Sequence, residues 1–321
     1  MSHAKTGPES GRALKPRVTT IIGPTGVGKT GVAIHVAARL GGEIISADSR
    51  QIYRGMDIGT AKPTAAERDA ARHHLIDIVE PDERYDAARF ALDAESVARG
   101  LFNDEVVPIV VGGTGFYIES LFEGLFEGVG RNDEVRSRLE ARAAEEGTAS
   151  LHEELTVIDP DSAQKLHPND TARVVRALEV YQATGETLTS WQRRERREPS
   201  YSPDYFGLTM ARADLYARVE ARVDRMLEDG LLGEIEALVA SGRLAPGMPG
   251  ASAVGYRELL PVVTGESDEL EAAVELMKRN TRRYVKRQLT WFSSTPGVEW
   301  IDLSETGEGR AADRIAASTA D

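Results

Sequence analysis

The stretch Arg17-Val18-Thr19-Thr20-Ile21-Ile22 runs directly into Gly23-Pro24-Thr25-Gly26-Val27-Gly28-Lys29-Thr30, and it decides the fold. The first part is a short apolar, β-branched run that ends at a glycine, which predicts a buried strand. The second part matches the phosphate-binding loop pattern, and the apolar residues after it recur at helical spacing as far as Leu40. A strand, a glycine-rich turn and a helix in this order predict a site for a phosphate group.

Each residue type in this loop has a physical role. Glycines let the backbone turn so that several N–H groups point inward, and the positive end of the following helix also attracts an anion. Lys29 supplies a positive charge to the terminal phosphates, and the Thr30 hydroxyl is a ligand for Mg²⁺. We therefore predict that a diphosphate or triphosphate binds to Gly23, Pro24, Thr25, Gly26, Val27, Gly28, Lys29 and Thr30, with Thr30 as the metal ligand.

Strands and helices alternate after the loop. Short apolar runs at 43–46, 74–79 and 106–111 predict further strands, and an amphipathic helix over 85–102 separates the last two. This order predicts an α/β fold in which helices cover both faces of a parallel sheet. Ligands of such sheets bind beyond the carboxyl ends of the strands, where Gly23, Asp48 and Gly112 are all expected.

The character of the sequence changes after residue 127. Residues 133–189 are charged and helical in pattern, with no apolar strand run, and a run over 205–211 predicts a return to the sheet. We therefore predict a flexible N-terminal segment over 1–16 and a catalytic core over 17–130 and 203–301. A helical insertion subdomain is expected over 131–202 and a mobile tail over 302–321.

The bulk composition limits the class of protein. The chain of 321 residues has a formal net charge of −13, which argues against a protein that coats nucleic acid non-specifically. Residues 278–287 nevertheless hold six positive side chains and no acid, so one local site for a polyanion and a solvated helix face are both open interpretations. No apolar stretch is long enough to span a membrane, and the absence of cysteine fits the cytoplasm. The lack of an apolar heptad predicts a monomer.

Asp48 directly follows the predicted second strand and begins the polar sequence Asp48-Ser49-Arg50-Gln51. A lone aspartate at a strand end often caps a turn. A carboxylate beside an adenine amine is also suited to accept its proton as a general base. The strand over 106–111 ends without the acidic residue that commonly orients magnesium in nucleoside-triphosphate hydrolases, which weakens that alternative, although Asp77 stays a candidate.

Four separated segments together resemble the tRNA dimethylallyltransferase (isopentenyltransferase) family. They are Gly23–Thr30; Asp48–Gln51 continuing to Gly59-Thr-Ala-Lys-Pro63; Gly112-Gly-Thr-Gly-Phe-Tyr117; and Val254-Gly-Tyr-Arg257 with Lys286-Arg-Gln-Leu-Thr-Trp291. The resemblance implies a P-loop NTPase-like core with a helical insertion and a channel through the core. Dimethylallyl diphosphate would enter one end, and an adenine flipped out of the tRNA anticodon stem-loop would enter the other.

The resemblance also implies roles for individual residues. Asp48 would be the catalytic base, acting with Lys29 and Thr30, and Mg²⁺ would be the cofactor. Arg222 would contact the diphosphate. The tRNA would contact Asp48, Ser49, Arg50, Gln51, Thr114, Arg136, Ala172, Arg173, Val174, Val175, Arg176, Val254, Gly255, Tyr256, Arg257, Arg279, Arg283, Lys286 and Arg287. The chain departs from the family pattern at Ala172, where a glutamine is usual, and at Ser252, where some members have an arginine.

Three alternatives remain at this stage. A nucleotide or small-molecule kinase would also use the phosphate loop, with ATP as donor. A related enzyme that prenylates free adenine nucleotides would need neither the insertion nor the basic helix. An RNA-binding regulator without catalysis would not need Lys29, Thr30 and Asp48 together.

Overall fold

The computed structural model describes residues 15–124, 130–194 and 198–320, and in this part of the chain it contains a six-stranded sheet. The strands are β1 (Arg17–Ile22), β2 (Gly42–Ala47), β3 (His73–His74), β4 (Val107–Gly112), β5 (Ser202–Thr209) and β6 (Glu299–Asp302). They lie in the order β3-β2-β4-β1-β5-β6, and every adjacent pair is parallel. The predicted α/β fold with a parallel sheet is confirmed.

Helices flank this sheet or form a separate unit. They are α1 (Lys29–Leu40), α2 (Ala65–Ala70), α3 (Ala87–Asn103), α4 (Gly115–Glu123), α5 (Asp133–Glu146), α6 (Thr148–Ile158), α7 (Pro160–Lys165), α8 (Thr171–Thr184), α9 (Leu188–Gln192), α10 (Arg212–Glu228), α11 (Leu231–Ala240), α12 (Tyr256–Val263), α13 (Leu270–Ser293), α14 (Leu303–Thr306) and α15 (Glu308–Ala320). A 3₁₀ turn, Gly250–Ser252, precedes α12.

Both faces of the sheet are buried. Ile22 and Ile45 belong to a hydrophobic cluster that includes residues of α3, α4 and α11, whereas their neighbours Ile21 and Ile44 belong to a second cluster with α1 and α15. This alternation follows from the strand geometry, in which successive side chains point to opposite faces. The strands therefore appear in the sequence as continuous apolar runs because each face has its own layer of helices.

The register of the sheet aligns three strand ends. Ile22 at the end of β1 pairs with Gly112 at the end of β4, and Gly112 also pairs with Ala47 at the end of β2. A side chain at Gly112 would overlap the carbonyl oxygen of Ala47, so the close approach of β2 and β4 requires glycine here. The three loops that follow these strands consequently begin at one level.

Residues Glu123–Glu198 form a second compact unit, the helical unit, and the rest of the chain forms the core unit. The predicted insertion over 131–202 covers most of this unit, but it starts later than Glu123 and extends to Ser202, the first residue of β5. Helices α5 to α9 pack around a small apolar core, and several begin at side chains such as Asn132 and Asp170 that accept a hydrogen bond from the first turn. The predicted flexible segment over 1–16 lies, as far as residue 14, outside the described residues.

The strand predicted over 74–79 is wrong beyond its first residue. The strand β3 contains only His73 and His74, and the backbone turns away at Leu75 and Asp77, where φ is 61° and 57°. These positive values are incompatible with an extended strand. The apolar run instead follows an irregular path beside residues 52–54. The Ile78 N–H donates to the Ile52 carbonyl, and the Arg54 N–H donates to the Val79 carbonyl.

The mobile tail predicted over 302–321 is also wrong. Helix α15 buries Ala311, Ala312 and Ile315 in the cluster that contains α1. The Arg39 Nε of α1 donates a hydrogen bond of 2.6 Å to the Asp313 carboxylate. The segment is mostly small and polar, so its apolar stripe was not recognised in the sequence. This stripe, Ala311, Ala312 and Ile315, is sufficient to pack the helix against the core unit.

No helix in the described ranges is long and apolar enough to cross a bilayer.

The docking of α15 predicts the effect of Ile315→Ala. Because Ile315 is fully buried against α1, this change should lower the free energy of unfolding by about 2–4 kcal/mol. The exposed Ser318→Ala on the same helix is the control and should change it by no more than about 0.5 kcal/mol. Urea denaturation followed by circular dichroism measures both values, and equal midpoints for the two variants would contradict a docked helix.

Candidate functional site

The phosphate loop joins β1 to α1, and its glycines allow the backbone to curve. Gly23, Gly26 and Gly28 have φ values of 151°, 81° and 113°, which L side chains rarely adopt. The Lys29 Nζ donates hydrogen bonds to the carbonyl oxygens of Gly23 (3.0 Å) and Pro24 (2.9 Å). The lysine therefore lies across the mouth of its own loop, with its ammonium group beside the backbone that a phosphate would contact.

Two threonines of the loop face different neighbours. The Thr25 hydroxyl accepts a hydrogen bond of 2.7 Å from Arg222 Nη2 of α10. The Thr30 hydroxyl lines the cleft and forms no hydrogen bond within the part of the chain that the structure describes. A partly buried hydroxyl at the start of α1 is placed to ligate a metal ion that an anion brings with it. Arg222, predicted to contact the diphosphate, is thus brought to the loop.

A cleft of about 330 Å³ opens over the loop. Three arginines of α10, Arg218, Arg222 and Arg225, line it together with Lys29. The pKa of Lys29 is lowered from 10.5 to about 8, mainly by burial; the Asp48 charge opposes this shift and the Arg222 charge contributes to it. The lining also contains the carboxylates of Asp48, Glu67 and Glu308, so the four cations leave a small positive excess. Lys29 and Arg222, which lie at the loop itself, are the cations placed to bind an anion there.

Asp48 caps a turn, which is one of the two roles considered from the sequence, and its side chain is also open to the cleft. Its Oδ1 accepts hydrogen bonds from the backbone N–H groups of Arg50 (2.8 Å) and Gln51 (3.4 Å), so it caps the turn after β2. The same side chain lines the phosphate cleft and a second cavity of about 190 Å³. The two cavities also share Thr25 and Arg222, and they therefore meet beside the Asp48 carboxylate.

The loop after β2 lines the second cavity and is joined to the loop after β4. The Thr114 hydroxyl accepts a hydrogen bond of 3.0 Å from the Ser49 N–H, which joins the two loops. Arg50 reaches across the cavity, and its Nη1 donates to the Ser252 hydroxyl at 3.0 Å. The departure from the family pattern at Ser252 thus supplies an acceptor for Arg50. Gln51 is held differently, because its amide hydrogen-bonds with Ser46 and the Ala61 carbonyl.

Sequence reasoning missed three residues of this site. Tyr284 of α13 lines the second cavity and hydrogen-bonds with Thr114, and burial with the nearby Asp48 charge raises its pKa to about 12. Gln288 of α13 bonds with the loops after β1 and β4. Glu308 of α15 lines the phosphate cleft against Gly28 and Gly31. Gln288 lies within the family-like segment Lys286–Trp291, and Tyr284 lies two residues before it. No motif in the sequence pointed to Glu308.

Helix α13 carries its basic residues on two faces. Lys278 and Arg282 form ion pairs with Asp224 and Glu220 of α10. The predicted tRNA-contacting residues of this helix are all exposed and form no ion pair with any residue that the structure describes. They are Arg279, Arg283, Lys286 and Arg287. Arg287 also lies over the ring of Tyr284, with its Cζ 5.5 Å from the ring centroid.

The segment Val254–Arg257 is only partly available to a ligand. Val254 and Arg257 line the second cavity. Tyr256 is completely buried, and its hydroxyl donates to the Glu234 carboxylate, so the prediction that its side chain contacts tRNA is wrong. The buried Gly255 N–H donates to Glu258 at 2.7 Å and begins α12, so it too is unavailable. The sequence Val254-Gly-Tyr-Arg257 therefore serves to begin and pack α12, and only two of its side chains are open to the cavity.

The predicted RNA contacts of the helical unit divide in the same way. Val174 and Val175 are completely buried in its core, because they lie on the inner face of α8, so the prediction that they contact tRNA is wrong. Arg136 and Arg176 both form ion pairs with Glu179, whose side chain is fully buried. The two arginines neutralise this buried carboxylate. Ala172 and Arg173 are exposed, and Arg173 forms an ion pair with Asp170.

Asp77, the alternative metal-orienting residue, is not in the phosphate cleft. Its carboxylate pairs with Lys62 and Arg68, and it lines a different surface cavity. These two cations outweigh the effect of burial and lower the pKa of Asp77. A role in orienting magnesium at the loop is therefore wrong for Asp77.

The chain is similar to known proteins over most of its length. The family model described as "IPP transferase" matches residues 51–295, and the one described as "Isopentenyl transferase" matches residues 16–81. A tRNA dimethylallyltransferase of Desulforudis audaxviator is 46% identical over 294 residues, which covers 92% of this chain and 94% of that protein.

Solved structures show the same similarity. The tRNA isopentenylpyrophosphate transferase of Bacillus halodurans is 38% identical, with a TM-score of 0.70 and coverage of 95% of this chain and 97% of that one. A eukaryotic dimethylallyltransferase, described as acting on tRNA, is 30% identical, with a TM-score of 0.76 and coverage of 94% and 78%.

The lowered pKa of Lys29 predicts a pH dependence of anion binding. Only the protonated lysine attracts an anion, so affinity for inorganic diphosphate should fall as pH rises through about 8. Titration calorimetry between pH 7 and 9 measures this. Lys29→Met should bind more weakly and lack this step, and subtracting its profile removes the ionisation of the ligand itself. A wild-type profile parallel to that of Lys29→Met would contradict the prediction.

Proposed function

Because this chain belongs to the tRNA dimethylallyltransferase family, we propose that it transfers a dimethylallyl group from dimethylallyl diphosphate to the exocyclic amine of the adenosine next to the anticodon. The chain is a prenyltransferase that acts on tRNA. The products are isopentenyladenosine in the tRNA and free diphosphate. The observation that carries the proposal is that Asp48 lines both the phosphate cleft and the second cavity.

The phosphate loop holds the group that leaves. Lys29, Arg222 and the inward N–H groups of the loop place positive charge where the diphosphate gains negative charge as the allylic C–O bond breaks. The allylic carbon disperses the positive charge that develops on it, so stabilising the departing anion lowers most of the barrier. This use of a phosphate loop needs no phosphoryl transfer.

Asp48 acts on the nucleophile. The amine nitrogen forms a bond to the allylic carbon as the C–O bond breaks, and the nitrogen becomes cationic. The Asp48 carboxylate accepts one proton from this nitrogen, while its Oδ1 stays fixed by the turn that it caps. Fixing one oxygen orients the other, and general-base catalysis of this kind contributes about a hundred- to ten-thousand-fold.

Magnesium fits the loop with the substrate as its main ligand. In the described residues no cluster of three or more acidic, histidine or cysteine side chains is arranged to hold a metal. Mg²⁺ usually keeps one or two protein ligands and takes the rest from phosphate oxygens and water. The Thr30 hydroxyl is such a ligand, and the metal would neutralise charge on the leaving diphosphate.

The RNA side of the proposal rests on the second cavity and α13. An adenine stacked in the anticodon loop must be flipped out before its amine can reach Asp48. The second cavity supplies a confined pocket for it, with Tyr284 and Arg287 at its wall. The four exposed cations of α13 continue from this wall and would hold the phosphate backbone of the RNA.

The rival functions have less support. Asp77, the residue considered from the sequence for orienting magnesium in a phosphoryl-transfer enzyme, is paired with Lys62 and Arg68 and does not line the phosphate cleft. A regulator without chemistry would not need a base at the junction of two cavities. Large exposed apolar side chains, such as Leu92, Phe116 and Val157, are single residues on separate helices, which favours a monomer. A tRNA substrate supports a cytoplasmic location.

The reaction is tested by incubating the protein with dimethylallyl diphosphate and unmodified tRNA, followed by nucleoside mass analysis. Wild type should yield isopentenyladenosine. Asp48→Asn keeps the oxygen that caps the turn but removes the base, so its kcat should fall at least about a hundredfold. Its affinity for dimethylallyl diphosphate should change by less than about threefold, because the phosphate loop is intact.

Asp86→Asn is the matched control for that change. Asp86 caps α3 through the same type of hydrogen bond, of 2.9 Å from the Arg89 N–H, and lines neither cavity. Its kcat should equal that of wild type. A normal kcat for Asp48→Asn would remove Asp48 from the mechanism, and consumption of ATP without tRNA prenylation would overturn the proposed reaction.

The exposed face of α13 predicts the behaviour of Arg279→Glu/Arg283→Glu. Reversing both charges should raise the KM for tRNA at least about tenfold. It should also reduce the slope of log affinity against log salt by about 0.7–0.9 for each RNA phosphate that the variant no longer neutralises. Arg310→Glu on α15 is the control, because Arg310 is exposed and bonds only to backbone carbonyl oxygens. An unchanged KM for tRNA in the double variant would show that this face of α13 is only exposed to solvent and does not bind tRNA.

A further inference from the structure

The buried side chain of Gln288 joins two loops of the active site. Its Oε1 accepts a hydrogen bond of 2.8 Å from the Thr25 N–H in the phosphate loop. Its Nε2 donates a hydrogen bond of 2.9 Å to the Gly113 carbonyl in the loop after β4. The side chain is only 5% exposed, so water does not readily replace either bond. One amide thus fixes the distance between the phosphate loop and the loop that carries Thr114.

Few side chains are suited to this position. The bridge needs an acceptor for one backbone N–H and a donor for one backbone carbonyl, and a neutral side-chain amide supplies both. A buried backbone group without its partner keeps the full cost of desolvation. The fit is also close, because a side chain at Gly113 would overlap the Gln288 amide. The position of α13 and the shape of the phosphate loop therefore constrain each other.

Successive turns of α13 contact the same group of loops. Tyr284, one turn before Gln288, hydrogen-bonds with Thr114. Trp291, almost one turn after it, packs against Gly115 so closely that a side chain there would overlap the indole. Thr25, which Gln288 holds through its N–H, also accepts the hydrogen bond from Arg222. Any movement of α13 is therefore passed to the residues that surround the diphosphate.

The exposed side of α13, opposite Gln288, carries four basic side chains. Arg279, Arg283, Lys286 and Arg287 project from the 24-residue helix and form no ion pair within the ranges that the structure describes. Under the proposed function these cations hold the tRNA backbone. A helix is a stiff element, so force applied to one face reaches the side chain on the other.

We propose that Gln288 is a positioning residue that couples tRNA binding on α13 to diphosphate binding in the phosphate loop. The inference rests on the proposed function, since it takes tRNA as the ligand of α13. With RNA bound, α13 holds Thr25 and Gly113 in the arrangement that binds the leaving group. By thermodynamic linkage, diphosphate must strengthen RNA binding by the same factor.

The test compares two affinities in the full-length protein. Titration calorimetry measures the Kd of inorganic diphosphate in magnesium buffer, with and without a saturating unmodified anticodon stem-loop. In wild type the RNA should tighten diphosphate binding by about tenfold, the range usual for coupled sites. Gln288→Met is similar in length but makes neither hydrogen bond, so this ratio should fall to about one. Thr290→Ala, on the exposed side of α13, should keep the wild-type ratio.

A second variant separates the two hydrogen bonds. Gln288→Glu keeps the acceptor for the Thr25 N–H and removes the donor for Gly113, so its ratio should lie between those of wild type and Gln288→Met. It also serves as the test if Gln288→Met does not fold, which thermal unfolding reveals. A purely structural role would lower the melting temperature and weaken diphosphate binding equally in both conditions, leaving the ratio intact.

The outcomes distinguish this inference from the proposed function. A folded Gln288→Met protein with the wild-type ratio overturns the coupling role, as does a wild-type ratio of one. Neither result affects the proposed reaction, which fails only if wild type makes no isopentenyladenosine. Steady-state kinetics give a further check, because loss of coupling should raise the KM for dimethylallyl diphosphate at saturating tRNA while leaving the KM at limiting tRNA nearly unchanged.

Discussion

The alignment of three parallel strand ends is the constraint on which the site depends. Ile22, Ala47 and Gly112 lie at one level, because the register pairs Gly112 with both of the others. Only glycine permits the approach of β4 to the Ala47 carbonyl. The phosphate loop, the Asp48 turn and the Thr114 loop therefore start side by side, and the Asp48 carboxylate lies at the phosphate cleft.

Helices that lie far apart in the sequence complete this arrangement. Helix α10 contributes Arg222 to the phosphate loop, and α13 contributes Tyr284 and Gln288. Helix α15 adds Glu308 to the cleft wall. The loops supply backbone N–H groups that have no partner in the sheet, and the helices supply the charges and the fixed amide that hold those loops in place. The site is thus a joint product of strand ends and packed helices.

The distribution of charge explains how an acidic chain is suited to an anionic substrate. The chain has a net charge of −13, yet the phosphate cleft is lined by Lys29 and three arginines, and the outer face of α13 is basic. Many other basic residues are engaged in ion pairs, as Arg136 and Arg176 are with the buried Glu179. Under the proposed function, the excess of acid elsewhere would repel RNA from unproductive surfaces, and the exposed cations of α13 would provide the place to bind.

The residues around each motif determined the local structure. The strand–loop–helix at 17–40 was predictable because a β-branched run, glycines at positive φ and a helical apolar repeat are all local properties. The same holds for β2 and β4, whose bounds shift by only one residue. Asp48 was predictable as a residue at a strand end, and the structure shows that its capping bond leaves the side chain open to both cavities.

Other features depended on contacts between distant residues and had no local signal. The chain turns away from the strand at Leu75 and Asp77, where the Arg54 side chain donates hydrogen bonds to the carbonyl oxygens of Asp77 and Ile78. Helix α15 docks because Ile315 packs in one apolar cluster with residues of α1. Val174, Val175 and Tyr256 match family segments, yet only the packing shows that they are buried. Sequence alone therefore determined which chemical groups the protein has and where its loops lie. The tertiary structure decided which of those groups face the cavities, because burial and hydrogen bonding are settled only when distant helices pack together.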